Sequence, residues 1–289
     1  MGWDTRRAAR KSHSPRSWWA AAPFYSGAMT NHENSPAPAT ERSAVVTGAS
    51  SGIGQATVRA LRQEGWRVYA IARRAERLQS LAADTGAIAL AGDVSEQHSV
   101  DELTSRILAA GGVDTVINVA GGARGVDYLA QAKDADWDFM LQVNVMGTMR
   151  LTRALLPHLR TVQGTVLNLT STAALASYEG GSGYNAAKAA QRALTQALRL
   201  EEVEHGVRVI EVLPGLVATE EFSLRRLGSE QAAEQVYAGV AEPLSAADVA
   251  EVIRYAVSLP HHVNLDEIVI RPQAQAANHK LVRRQEPGQ

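Results

Sequence analysis

Residues 44–54 read AVVTGASSGIG, and this stretch decides the fold. It opens with a short apolar run, which is typical of a buried strand. The composition of residues 55–64 then predicts a helix, and between strand and helix lie three glycines, Gly48, Gly52 and Gly54. A strand, a glycine-rich turn and a helix in this order form the entry to a dinucleotide-binding unit, because glycines let the backbone approach a pyrophosphate. The alternative is a tight turn without a ligand, since the spacing departs from the common Gly-x-Gly-x-x-Gly pattern.

Further apolar runs alternate with longer stretches of helical character. The predicted strands lie at residues 44–47, 67–72, 87–91, 115–119, 165–170, 207–213 and 266–270. Strands that alternate with helices of roughly ten residues or more form parallel sheets with right-handed crossovers. The sequence therefore predicts an α/β fold, a Rossmann-type doubly wound parallel β-sheet in a single domain.

A tyrosine and a lysine, Tyr184 and Lys188, stand four residues apart in a segment that predicts one long helix, residues 184–204. Residues with this spacing share a helix face, so both side chains can point into one pocket. A phenol has an ordinary pKa of about 10, and a nearby ammonium group lowers it toward values useful for general acid–base catalysis. Ser171 lies thirteen residues before the tyrosine and can bond the same substrate oxygen. The alternative is a solvated helix face without catalytic function.

Together, the glycine turn and the Ser171, Tyr184 and Lys188 set resemble the short-chain dehydrogenase/reductase family, over about residues 42–275. Other segments match the family in chain order: Gly-Asp-Val at 92–94, Asn-Val-Ala-Gly at 118–121, Asn144, and Pro-Gly-Leu-Val-Ala-Thr at 214–219. The chain departs from the family pattern at Val119, where the family has a second asparagine.

The resemblance implies a catalytic set in which Tyr184 gives or takes the hydroxyl proton. Lys188 would lower the pKa of that tyrosine and hold the nicotinamide ribose, Ser171 would stabilise the substrate oxygen, and Asn144 would anchor a water leading to solvent. Cofactor contacts are implied for Gly48, Ser50, Ser51, Gly52, Ile53, Gly54, Arg73, Arg74, Asp93, Val94, Asn118, Ala120, Gly121, Tyr184, Lys188, Pro214, Gly215, Val217 and Thr219. For Asn118 the alternative is a side chain that ties neighbouring strands together.

The residues at the end of the second predicted strand indicate which nicotinamide cofactor is bound. An NAD enzyme usually has a carboxylate there, whereas an NADP enzyme has an arginine for the 2′-phosphate. Here the strand runs into Arg73 and Arg74, and the first carboxylate is Glu76. Because guanidinium pairs with phosphate in a bidentate manner, we expect NADP, bound by Arg73, with Arg74 stacked on the adenine or facing solvent. The alternative is an exposed basic helix start.

Residues 220–228, here called the lid segment, follow Thr219 and are predicted to cover the substrate, with Gly215 and Gly228 as hinges. The runs at 72–78, 214–223 and 259–264 are similar to the branch of NADP-dependent 3-hydroxy acid dehydrogenases that act on serine and allo-threonine. A hydroxy acid needs a cation for its carboxylate, and the candidates by position are Arg124, Arg225 and Arg226.

The resulting prediction is an NADP(H)-dependent oxidoreductase that moves a hydride between nicotinamide and a secondary alcohol or ketone, with a small 3-hydroxy acid as one substrate class. One alternative is a broad-specificity carbonyl reductase. An alternative of another class is an NADP-binding regulatory protein without turnover, against which the complete Ser171, Tyr184 and Lys188 set argues.

Composition is consistent with an enzyme of this kind. The chain has 289 residues, is 45% hydrophobic and carries a formal net charge of −1, which predicts neither nucleic-acid nor membrane partners. It contains no cysteine, which suits a reducing compartment such as the cytoplasm. Its histidines show no metal-ligand spacing, so no metal is expected.

The predicted domain has a segment on each side. Residues 1–41 begin with a basic and aromatic stretch, continue with a polar one, and are expected to be a disordered extension. The alternative is a segment that binds a membrane surface. Met29 is an alternative start of the protein. Residues 276–289 are predicted to be a C-terminal tail.

Assembly is predicted from the helix that follows Asn144 and from the helix of Tyr184, which in the resembled family pair with their copies. Apolar and small residues recur there at helical spacing: Leu151, Leu155, Leu159, Ala186, Ala189, Ala190, Ala193 and Ala197. With a second two-fold contact from the last helix and strand, this predicts a homotetramer, or otherwise a dimer. The alternative is that these residues pack only against the protein's own sheet.

Overall fold

The computed structural model describes residues 42–284; residues 1–41 and 285–289 lie outside the described part of the chain. The predicted N-terminal extension, Met29 and the last five residues of the predicted tail are therefore outside it as well. Within residues 42–284, no helix is both long and apolar enough to span a membrane.

A parallel sheet forms the centre of the domain. Its strands are β1 (Ser43–Thr47), β2 (Arg67–Ala72), β3 (Ile88–Ala91), β4 (Thr115–Asn118), β5 (Thr165–Leu169), β6 (Arg208–Pro214) and β9 (Glu267–Ile270). They lie in the order β3-β2-β1-β4-β5-β6-β9, and every pair is parallel. The Rossmann-type doubly wound sheet is thus confirmed, and each predicted strand end is within one residue of the observed end.

Helices connect the strands and cover both faces of the sheet. They are α1 (Gly52–Gln63), α2 (Ala75–Thr85), α3 (Gln97–Ala109), α4 (Asp134–Leu141), α5 (Gly147–Val162), α6 (Ser182–Glu202), α7 (Phe222–Leu227), α8 (Glu230–Tyr237) and α9 (Ala246–Ser258). Two short pairs complete the described chain: β7 (Val217–Ala218) with β8 (Leu244–Ser245), and β10 (Gln275–Ala277) with β11 (Lys280–Leu281).

Successive residues of β1 point to opposite faces of the sheet and into two cores. Val46 packs in the core that contains Leu61 of α1 and Ile253 of α9. Val45 packs in the other core, with Leu103 of α3. Each buried side chain of this kind contributes about 1.5–3 kcal/mol to stability. Because the inner strands of a parallel sheet are buried on both faces, they are mostly apolar, and this is why the sequence located them well.

The helices α5 and α6 differ in whether the residues named in the assembly prediction are exposed. Leu151, Leu155 and Leu159 of α5 are fully buried in the protein's own core, so they do not face a partner as the assembly prediction supposed. On α6, by contrast, four of the named alanines are exposed along one stripe: Ala186, Ala189, Ala193 and Ala197.

Residues 276–284, predicted as part of a tail, pack against the domain. The β10–β11 hairpin carries Asn278, whose Nδ2 donates hydrogen bonds to the carbonyl oxygens of Thr172 (3.0 Å) and Ala176 (2.6 Å). These contacts join the hairpin to the segment that follows β5.

Candidate active site

The glycine turn brings β1 and α1 unusually close together. Gly52 has φ of +53°, which disfavours any residue with a side chain. A Cβ atom on Gly54 would lie 2.4 Å from the carbonyl oxygen of Gly48, so only glycine fits there. The turn thus exposes backbone at the N-terminus of α1, an arrangement suited to a phosphate group.

A cavity of about 800 Å³ lies at the carboxyl ends of the strands, where doubly wound sheets bind ligands. Nearly all the residues predicted to form the site line it: Gly48, Ser50, Ser51, Gly52, Ile53, Gly54, Arg73, Arg74, Asp93, Val94, Ala120, Gly121, Ser171, Tyr184, Lys188, Pro214, Gly215, Val217 and Thr219. The two predicted residues outside the lining are Asn118 and Asn144.

Asn118 is buried beneath the cavity and makes structural contacts. Its Nδ2 donates to Thr152 Oγ1 at 3.0 Å and to Asn168 Oδ1 at 2.9 Å. Asn168 is its partner in the β4–β5 register. These bonds tie neighbouring strands together, which was the alternative to a cofactor contact.

Asn144 lies in a π-helical turn, Gln142–Met146, between α4 and α5, and such turns are common at functional sites. Its amide donates to the carbonyl oxygens of Met140 (2.7 Å) and Gly122 (2.8 Å). Its Oδ1 accepts from the Gly122 N–H at 3.2 Å. The side chain therefore holds the loop after β4 directly behind the cavity wall.

Tyr184 lies in the first turns of α6 and is 8% exposed. Burial raises the pKa of its phenol above the ordinary value, while Ser171 and Arg226 act in the opposite direction. Phe222 of the lid segment packs edge-on against the tyrosine ring, with centroids 5.7 Å apart. The raised pKa keeps the phenol neutral, so that it is able to donate a proton.

Lys188, predicted from the sequence to lower the pKa of Tyr184, is buried beside that tyrosine. Its Nζ lies 5.9 Å from the tyrosine ring centroid and donates to the Leu169 carbonyl oxygen (3.0 Å) and to Gln191 Oε1 (2.8 Å). Burial lowers the pKa of the ammonium group to about 7, although the carboxylate of Glu211 opposes this. The effect of Lys188 on the phenol stays a prediction.

Ser171 stands at the end of β5 and begins a short 3₁₀ turn. Its hydroxyl accepts from the Ala173 N–H at 3.1 Å and donates to the Pro214 carbonyl oxygen at 3.3 Å. Both contacts fix the hydroxyl at the rim of the cavity that also contains Tyr184.

Of the two arginines after β2, Arg74 points toward the glycine turn. Its Nη2 donates to the hydroxyls of Ser50 (2.9 Å) and Ser51 (3.0 Å). Arg73, the residue favoured from the sequence, has 57% of its side chain exposed, and its Nη1 lies 3.7 Å from Asp93 Oδ2. The geometry thus gives Arg74 the better position for a phosphate group.

A carboxylate from the lid segment, that of Glu221, lies among three guanidinium groups. Nη1 of Arg74 is 2.6 Å from Oε1, Nη1 of Arg77 is 2.5 Å from the same oxygen, and Nη2 of Arg225 is 2.6 Å from Oε2. The Ser51 hydroxyl also donates to Oε2 at 3.1 Å. We call Arg74, Arg77 and Arg225 the arginine cluster.

The arginine cluster keeps Glu221 ionised. Partial burial disfavours the charged form, but the hydrogen bond from Arg74 and the charge of Arg225 lower the pKa of Glu221 to about 2. A cluster that binds one carboxylate so strongly has the donors that a phosphate monoester requires.

Another arginine of the lid segment, Arg226, faces the tyrosine. Its Cζ lies 5.7 Å from the ring centroid of Tyr184. Its guanidinium donates to Tyr178 Oη (2.9 Å) and to the carbonyl oxygens of Gly125 and Gly180 (3.3 Å each). A cation is thereby held beside the phenol.

The three arginines named for a substrate carboxylate thus lie in different places. Arg124 is exposed and stacks over the Phe139 ring at 3.8 Å. Arg225 belongs to the arginine cluster, and Arg226 alone of the three contacts the ring of Tyr184.

Some residues of the site were not predicted individually. Glu221 and Phe222 lie in the predicted lid segment, yet their partners are distant in sequence. Tyr178 precedes Tyr184 by six residues, a spacing that indicates nothing by itself. Asn278 also lines the cavity and lies beyond the predicted domain end. Predicting the position of Asn278 requires the β10–β11 hairpin to be recognised in the sequence, and its strands are only three and two residues long.

Comparisons with known proteins find relatives over most of the chain. The profile of the family described as "short chain dehydrogenase" matches residues 42–228. An uncharacterized oxidoreductase of Mycobacterium tuberculosis is 50% identical over 239 residues, 82% of this chain and 93% of the relative. The serine 3-dehydrogenase of Agrobacterium fabrum is 37% identical, covering 80% and 94% of the two chains.

Among solved structures, the closed form of a serine dehydrogenase complexed with NADP⁺ superposes with a TM-score of 0.79. It shares 34% sequence identity, and the alignment covers 84% of this chain and all of the other.

Proposed function

The chain belongs to the short-chain dehydrogenase family and is an oxidoreductase acting on alcohol groups; from this premise we propose that it uses NADP(H) and acts on small 3-hydroxy acids. The observation that carries the proposal is the placement of two separate arginine sites on one cavity. The arginine cluster lies beside the glycine turn, and Arg226 lies beside Tyr184.

The residues at the glycine turn fit a nicotinamide dinucleotide with a 2′-phosphate. Ser50, Ser51 and Arg74 would hold the phosphate, and the turn before α1 would hold the pyrophosphate. When bound, the nicotinamide ring supplies or accepts the hydride. The solved serine dehydrogenase complexed with NADP⁺ supports this choice.

The residues of the chain handle the proton and orient the substrate. Tyr184 holds the proton at its hydroxyl and exchanges it with the substrate oxygen. Ser171 would donate its hydroxyl proton to that oxygen in place of the Pro214 carbonyl oxygen, and Lys188 would reach the ribose side. Asn144 positions the loop after β4, and in this proposal anchors a water that connects the lysine to solvent. Burial by Phe222 excludes water from the phenol.

Arg226 is the proposed anchor for the carboxylate of the substrate. A guanidinium has five N–H groups, and three of them donate to protein acceptors. Two therefore remain without an acceptor among residues 42–284. In this proposal a substrate carboxylate pairs with these two N–H groups of Arg226. The hydroxyl of a 3-hydroxy acid, which lies on the second carbon from the carboxylate carbon, would then be within reach of Tyr184. The relatives named serine 3-dehydrogenase and sulfoacetaldehyde reductase, whose names specify small substrates with a carboxylate or a sulfonate group, support an anchor for such a group.

We also propose a homotetramer in the cytoplasm. The exposed alanine stripe of α6 supports one two-fold contact. Tyr255 of α9 and Val269 of β9, 57% and 42% exposed, support another. Light scattering at micromolar concentration tests the assembly: a tetramer mass is expected, a dimer mass means that only one contact forms, and a monomer mass contradicts the proposal.

A substrate panel tests the proposed activity. The purified full chain is assayed with NADP⁺ and NAD⁺ on serine, on other small 3-hydroxy acids, and on secondary alcohols that lack the carboxylate. We expect NADP⁺-dependent oxidation with the highest kcat/KM for the 3-hydroxy acids. A preference for larger apolar ketones in the reductive direction would indicate a carbonyl reductase. Binding of NADPH with no turnover on any substrate would indicate a regulatory protein.

A further inference from the structure

Glu221 connects the arginine cluster to the lid segment. It stands directly before α7, and only one residue separates it from Thr219, which lines the cavity. Its side chain is 16% exposed, so it reaches from the lid segment to the start of α2 rather than into solvent. Arg74 and Arg77 come from the start of α2, more than 140 residues earlier in the chain.

The charges at this place are unbalanced. The three guanidinium groups of the arginine cluster carry +3, and Glu221 supplies −1, which leaves an excess of +2. A phosphate monoester carries about −1.5 to −2 at neutral pH and has three acceptor oxygens. A carboxylate has two oxygens. A phosphate therefore satisfies both the charge and the donors of the cluster better than Glu221 does.

The residue after Glu221 reaches the catalytic pocket. Phe222 packs on the ring of Tyr184, and Arg226 lies one turn further along on the same tyrosine. The six-residue helix α7 is thus held at one end by the arginine cluster and at the other by the contacts of Arg226. Whatever replaces the Glu221 carboxylate releases the first of these attachments.

We propose that the Glu221 carboxylate is an intramolecular occupant of the subsite for the 2′-phosphate, and that NADP(H) must displace it to bind. The displacement lowers the apparent affinity for NADP(H) and frees the start of the lid segment when the cofactor arrives. This inference rests on the proposed function, because it requires a cofactor with a 2′-phosphate.

Glu221→Gln tests the inference, because it removes the charge and keeps the shape. Glu220→Gln is the matched control: it makes the same charge change one residue earlier, on an exposed side chain. Equilibrium binding of NADPH and NADH to the full chain is measured without substrate, together with binding of 2′-AMP and 5′-AMP. Glu221→Ala is measured in parallel to remove the remaining hydrogen bonds.

An occupant present in about nine molecules of ten raises the apparent Kd about tenfold. We therefore expect Glu221→Gln and Glu221→Ala to bind NADPH and 2′-AMP about tenfold more tightly than the wild type, with NADH and 5′-AMP unchanged. Glu220→Gln should leave all four affinities unchanged.

The inference is overturned if Glu221→Gln binds NADPH no more tightly than the wild type, or if NADH gains equally. Weaker NADPH binding would mean that Glu221 holds the arginines in place for the phosphate, and would also overturn it. These results leave the proposed function intact as long as the wild type prefers NADPH to NADH. A wild type that binds neither dinucleotide would contradict both proposals.

Discussion

Phe222 and Tyr184 meet edge to face, with ring centroids 5.7 Å apart and planes inclined at 62°. The contact places a lid side chain on the residue proposed to exchange the proton. It also buries the phenol, which raises the pKa of Tyr184. The order of the lid segment and the chemistry of the tyrosine are thus coupled through one pair of rings.

Arg74 is expected to determine the preference for NADP more strongly than Arg73. Hydrogen bonds to charged groups contribute about 1.5–3 kcal/mol each, so Arg74→Ala should raise the KM for NADP⁺ by roughly 10- to 100-fold. NAD⁺ lacks the phosphate, and its KM should change little. Arg73→Ala, which removes an exposed arginine beside Asp93, is the matched comparison. A larger effect of Arg73→Ala would restore the assignment made from the sequence.

Arg226→Met should impair the use of hydroxy acids selectively. Removal of the cation beside Tyr184 should raise the KM for a 3-hydroxy acid by roughly 10- to 100-fold, the loss of a charge-assisted pair. The KM for a secondary alcohol of similar size without a carboxylate should change much less. Arg124→Met is the control, since that side chain stacks on Phe139. Equal losses on both substrate types would show that Arg226 supports the lid segment rather than the substrate.

Lys188 should make stability depend on pH. Its pKa falls from 10.5 to about 7 on folding because of burial, so between these values the unfolded chain holds more protons than the folded chain. The contribution of Lys188 to the free energy of unfolding therefore rises from about pH 7 toward pH 10.5 and is constant below that window.

Urea unfolding of the wild type and of Lys188→Met over this pH range isolates the effect. The stability of the wild type relative to the variant should increase with pH. Lys133→Met, at an exposed lysine whose Nζ lies 3.4 Å from Asp127 Oδ2, is the matched control for the loss of a lysine. A flat difference for Lys188→Met would mean that its ammonium group stays charged throughout.

The sequence located those features that depend on local pattern. The inner strands appear as mostly apolar runs because both faces of the sheet are covered there, and the turn at Gly54 appears because no Cβ fits there. Tyr184 and Lys188 appear together because one helix carries both.

The features that the sequence missed depend on contacts between distant segments. The pairing of Glu221 with Arg74 spans 147 residues, and that of Asn278 with Thr172 spans 106. The choice between Arg73 and Arg74 depends on the direction in which each side chain leaves the end of β2. Lys188 bonds to the Leu169 carbonyl and to Gln191, and helix spacing alone does not reveal those acceptors.

The central claim is that Tyr184 exchanges the proton in an NADP-dependent oxidation. The most direct test compares the rate of NADP⁺ reduction by a 3-hydroxy acid in the wild type and in Tyr184→Phe, with NADPH binding measured alongside. Loss of a general acid–base group should reduce kcat by about 10²- to 10⁴-fold, while the Kd for NADPH stays the same. A Tyr184→Phe protein that oxidises the substrate at nearly the wild-type rate would contradict the account.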